Sequence, residues 1–207
     1  MIKHRFTHLL MGTLLLSFGA VAAAAPADSI IKPTRATIDS VTDSALQITT
    51  RQGEKMTVGL TDQTKVNSIS KATMSDIKPD SFIGTAAVPQ ANGTLKALEV
   101  HVFAPSLRGS GEGFNPFESA DGKVNTMTNG TVGKLVNTNG RTLTVKYQDK
   151  EKTVVVPDDV PVVLIEPGNK ALLKPGTKVV LFTMKDDKGA LVARGISAGK
   201  DGLTPPM

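Results

Sequence analysis

The stretch GSGEGFNPFESADGKVNTMTNG, residues 109–130, gathers side chains that could recognise a partner. Glu112 and Glu118 bring carboxylates, and Asn115, Thr126, Thr128 and Asn129 bring neutral hydrogen-bonding groups. Phe114 and Phe117 flank Pro116, which stiffens the turn between them. Only six aromatic residues lie beyond position 25, so a pair in one connector asks for an explanation. Glycines at 109, 111 and 113 permit left-handed backbone and close approach of other groups. Two readings follow. The nine residues Glu112, Phe114, Asn115, Pro116, Phe117, Glu118, Thr126, Thr128 and Asn129 form a ligand-binding loop on a rigid scaffold. Alternatively, the two phenylalanines staple neighbouring units together, each contributing about 1.5–3 kcal/mol when buried.

Catalytic and cofactor signatures are absent from the sequence. Beyond residue 25 the only histidine is His101, expected at an exposed or edge position of a strand in the alternating segment 98–103. A zinc site needs three or four His, Cys or carboxylate ligands, and the chain has no cysteine. Glu112, Glu118 and Asp121 offer hard oxygens, but not at EF-hand spacing. No G-x-S-x-G elbow is present, and a serine nucleophile would have one candidate base. The G-S-G-E-G run lacks the lysine of a phosphate loop. No metal or cofactor is therefore expected.

The ends and the composition set the compartment. Lys3, His4 and Arg5 precede an apolar run from Leu9 to Phe18 and a small-residue segment ending at Ala25. This is the layout of a secretory signal peptide with cleavage after Ala24. The apolar core is shorter than the about 20 residues of a membrane-spanning helix. With Lys3 and Arg5 removed, 22 basic and 19 acidic residues remain, too even a balance to argue for nucleic acid. An exported chain without disulfides suits a bacterial periplasm.

The elements that must position these residues come in two copies. Ala36–Val41 resembles Gly130–Leu135, Leu46–Thr50 resembles Leu143–Tyr147, Ile77–Pro79 resembles Leu173–Pro175, and Asn92–Ala97 resembles Lys188–Ala193. The offsets run from 94 to 97 residues and the blocks keep their order. Each copy alternates apolar and polar residues with period two, the mark of half-buried strands. Turn signals at Asn92–Gly93, Asn139–Gly140 and Lys188–Gly189 separate them. Lys78-Pro-Asp80 and Lys174-Pro-Gly176 read as tight turns, with a single helical turn before each. Small sheets avoid exposed edges by closing. The expectation is an all-β chain of two tandem small β-barrels of OB-like or SH3-like size: signal peptide 1–24, extension 25–33, barrel 34–103, linker 104–126, barrel 127–198 and tail 199–207. One larger sandwich is the alternative. The second copy carries eleven basic and seven acidic residues, against seven of each in the first, which gives it the better claim on an anionic envelope polymer.

On these residues the chain resembles a proteobacterial family of exported proteins with repeated small β-barrel domains of unknown function. The linker carries the most specific likeness: GEGFNPFE followed by TMTNGTV is similar to a family pattern G-E-G-H-R-P-W-D and then T-M-T-N. Phe114, Asn115, Phe117 and Glu118 replace the histidine, arginine, tryptophan and aspartate of that pattern. Some family members carry the label of a metal transporter permease. A permease requires several apolar spans of about 20 residues, and this sequence has none. The family has no known function, and the expectation from the residues is an exported, soluble, non-enzymatic binding or scaffolding protein of the periplasm or envelope, with an envelope protein or polymer as partner. A periplasmic metal-handling accessory and a carboxylate-dependent glycan or peptide hydrolase are the alternatives.

Overall fold

The computed structural model describes residues 31–136 and 141–207. The proposed signal peptide, the first part of the extension and the Asn139–Gly140 turn lie outside them. The first copy forms β1 (Thr34–Val41), β2 (Ala45–Thr50), β3 (Lys55–Gly59), β4 (Lys65–Ala72), β5 (Phe82–Pro89), β6 (Leu95–Ala97) and β7 (Val100–Phe103). The connector forms β8 (Gly113–Glu118). The second copy forms β9 (Val124–Val136), β10 (Thr142–Tyr147), β11 (Lys150–Val155), β12 (Val162–Pro167), β13 (Lys178–Lys185) and β14 (Leu191–Gly199).

Local chemistry explains the turns. Single 3-10 turns, Met74–Asp76 and Lys170–Leu172, precede the two Lys-Pro turns. In those turns Ser81 N donates to the Lys78 carbonyl and Thr177 N to the Lys174 carbonyl. Proline presets φ at the second position, and the third must be left-handed. Gly176 takes φ +85° without penalty; Asp80 takes φ +66°, which its short polar side chain tolerates.

The chain is all-β and contains a closed five-stranded barrel, in the order β13-β1-β2-β3-β14 with β14 returning to β13. Its core holds Ile38, Leu46, Ile48, Val58, Leu181 and Ile196. The expected arrangement, with each copy closing on itself, is corrected here: this barrel takes three strands from the first copy and two from the second. The additional strands include a second cycle of pairings, β5-β6-β11-β10-β9 and back to β5. It surrounds Ile83, Leu95, Leu143, Val145 and Val154, and again mixes both copies. The reason is geometric. Equivalent strands present equivalent edges, so a ladder is satisfied equally well by a strand from either copy. β4 and β12 do not turn back; they pair with each other antiparallel and carry the chain across.

The register obeys the repeat. Ala36 faces Val179 across β1 and β13, as Gly130 faces Ile83 across β9 and β5. Val66 faces Ile196 across β4 and β14, as Val162 faces Val100 across β12 and β7. Between the two cycles lies a third core of Ile69, Ala86, Phe117, Met127, Ile165 and Met207.

Candidate functional site

The connector is not a free loop. Its β8 forms a hairpin with β9, placing Phe114 opposite Thr128, Pro116 opposite Thr126 and Phe117 opposite Asn125. Strand periodicity then sends alternate residues to opposite faces. The nine connector residues therefore do not line one groove.

On the inner face Phe117 is buried in the third core, at 1% exposure, with the Arg35 guanidinium 5.9 Å from its ring centre. Arg35 also ties the connector to the segment after β14: Nε donates to the Met207 carbonyl at 2.7 Å and one terminal nitrogen to the Glu118 carbonyl at 2.6 Å. Burial, and then the neighbouring Arg51, lowers the Arg35 pKa, with Glu118 and Asp121 opposing. Ile31 N donates to the Pro116 carbonyl, and Glu118 N to the Ile31 carbonyl. This is the staple geometry, supplied by one phenylalanine rather than two.

On the outer face Phe114 stays 36% exposed. Its ring stacks on Tyr147 at 6.1 Å between centroids, and Lys152 Nζ lies 5.1 Å from its centre. Glu112 ties the connector to the same neighbourhood by accepting from Gln148 N at 2.9 Å. The result is an aromatic surface with a cation beside it. Tyr147 and Lys152 belong to β10 and β11, 33 and 38 residues from Phe114, and no sequence spacing announces their meeting.

Behind the hairpin lies a buried polar cluster. His101, expected on an exposed or edge strand, is 2% exposed because β7 runs between β12 and β5. Its Nδ1 contacts both Glu99 carboxylate oxygens, at 3.0 and 3.1 Å, and Glu99 also accepts from Ala86 N at 2.9 Å. Residues two apart on a strand share a face, so the Glu-x-His spacing was the signal that could have revealed this pair. Asn129 donates through Nδ2 to the Ser110 carbonyl, while its Oδ1 has no hydrogen-bond partner. On the opposite face of β9, outside this cluster, buried Thr128 lacks a partner at its hydroxyl and Thr126 donates to the Ala87 carbonyl at 2.9 Å. A Cβ at Gly84 would collide with His101 Nε2 and Asn129 Oδ1, so glycine is what leaves room for both. The structurally equivalent positions in the other half are Val180, Gly195 and Ser197 for Gly84, Glu99 and His101. The fold itself does not require this cluster. Among the described residues no group of three or more His, Cys, Asp or Glu is placed to hold a metal ion.

A pocket of ≈ 370 Å³ opens beside the cluster. Phe82 and Phe103 meet in it at 5.2 Å, and Phe103 also meets the His101 ring edge-on at 4.9 Å. Arg108 stands at its rim, 5.9 Å from the Phe82 ring centre.

The fold and these sites define a closed-barrel, all-β protein with a stapled connector. No protein-family model matches the chain, and none of the curated proteins or solved structures is significantly similar to it. No helix among the described residues is long and apolar enough to cross a membrane.

Proposed function

We propose that this chain is an exported, non-enzymatic binding or scaffolding protein of the bacterial periplasm or cell envelope. In this reading the second cycle of strands forms a second barrel, and the two barrels are built by strand exchange between the copies. The observation that carries the binding reading is the contrast within the connector. Phe117 is locked in the core, while Phe114, three residues earlier, remains on the surface between Tyr147 and Lys152. An exposed aromatic held on a rigid hairpin offers contact area without the entropy cost of ordering a loop. Lys150, directly opposite Tyr147 on β11, is exposed beside Lys152, so the surroundings favour an anionic envelope polymer or an acidic protein face.

The test is capture from periplasmic extract and from purified cell-wall sacculi, at low and high salt, with wild type beside Phe114→Ala. Loss of salt-sensitive capture with Tm lowered by no more than about 2–4 °C supports the proposal. Equal capture by the two proteins sinks it.

A further inference from the structure

We propose that the pocket beside Phe103, over the buried Phe82, is a binding site for a small amphipathic anion, with an apolar body on the half-buried Phe103 and Leu164 and an acidic group at Arg108. It is separate from the Phe114 surface. Its ≈ 370 Å³ fall within the usual range of ligand pockets, about 300–1,000 Å³. Phe82, Val102, Phe103 and Leu164 supply the apolar lining.

Arg108 is fixed at the mouth. One terminal nitrogen donates to Thr131 Oγ1 at 3.1 Å and the other to the Asp80 carbonyl. A guanidinium has five N–H donors in a planar fork, so these two bonds orient it and leave others available to an acid. Asp80 also lines the pocket, yet it engages Arg108 through its backbone, and no ion pair joins the two side chains. The ring beneath already has its cation in Arg108, so a second cation is disfavoured there.

The repeat supplies an internal control. Lys178, Gly199 and Thr204 occupy the positions equivalent to Phe82, Phe103 and Arg108. In that half a Cβ at Gly199 would collide with the Leu203 carbonyl, so the chain's own tail fills the space where Phe103 stands in the other. The ≈ 90 Å³ cleft beside Lys178 and Thr204 is a different one, lined mainly by Ala36, Thr37, Thr49, Thr50 and Arg51 of β1 and β2 and the residue after it. One half therefore closes this position with its own backbone. The other keeps it open and lines it with two aromatic rings and a cation. Barrel closure explains the first and does not call for the second.

The experiment uses 8-anilinonaphthalene-1-sulfonate, an apolar ring system with one sulfonate, titrated into the full chain and followed by fluorescence. The expected result is saturable one-to-one binding, displaced by octanoate and not by octylamine. Arg108→Gln should weaken it about tenfold or more. Ala104→Trp, which fills the mouth, should abolish it, and Phe114→Ala should leave it unchanged. Non-saturable binding, displacement by octylamine as effective as by octanoate, or an affinity unaltered in Arg108→Gln would each overturn the proposal. Because Phe114→Ala probes the other surface, failure here leaves the envelope-binding reading to its own test.

Discussion

Ile69 and Ile165, 96 positions apart, face each other directly across β4 and β12. Around that pair the ladder is symmetric: Ser68 faces Glu166, and Ser70 faces Leu164. The offset separating the two residues is the offset of the sequence repeat, so the pair marks a pseudo-twofold axis. Both side chains are buried in the third core, where the two halves meet.

Truncating either residue should act on the whole molecule. Ile69→Ala or Ile165→Ala is expected to cost about 2–5 kcal/mol, the usual penalty for an isoleucine cavity. Because the closed barrel takes strands from both copies, unfolding should remain one cooperative step. Urea titrations followed by circular dichroism and by Tyr147 fluorescence should give coincident curves. Two separated transitions would contradict a shared strand network.

The connector phenylalanines should differ sharply. Phe117→Ala is expected to lose about 3–5 kcal/mol, since it empties a fully enclosed site. Phe114→Ala should lose less than about 1 kcal/mol, because its ring is partly in water and what is lost is its stacking on Tyr147 and its contact with Lys152 at the surface. Chemical denaturation of the two variants decides this.

Gly84→Ala tests the polar cluster. The added methyl must displace His101 or Asn129, both hemmed in by neighbouring strands, at a cost of about 1–3 kcal/mol. The imidazole ring should also lose its position beside Glu99, visible as a shifted His101 ring resonance by NMR. An unperturbed resonance would mean the cluster is looser than its geometry indicates.

Asp76 gives a pH dependence with a definite sign. Its carboxylate accepts from Thr73 N at 2.8 Å and from the Thr73 hydroxyl at 2.9 Å. The backbone bond first, then the hydroxyl, and Lys78 with them, hold its pKa below the usual carboxylate value. A carboxylate depressed in the folded state contributes stability above its unfolded pKa and loses it as pH falls through the folded value. Asp76→Asn should therefore lower Tm at neutral pH, and the gap to wild type should close on acidification. A gap that widens in acid would refute this assignment.

Much of the fold was legible because strands announce themselves locally. Alternation along Leu46–Thr50 and Leu143–Tyr147 gave strands, the Lys-Pro pairs gave turns, and block matches gave the repeat. Of the site, the sequence marked the connector, but not which phenylalanine it would bury. That choice follows from the pairing of β8 with β9, which sends Phe117 inward and Phe114 outward.

The sequence by itself determined the all-β character, the twofold repetition and the places where the chain must turn, since period-two patterning and proline or glycine geometry act within a few residues. Only the tertiary structure decided which copy completes which ladder. Strand edges are alike in the two copies, and nothing local distinguishes β13 from β5 as the partner of β1. Likewise, burial of Glu99 with His101, and the meeting of Phe82, Phe103 and Arg108, arise from contacts between strands brought together by closure.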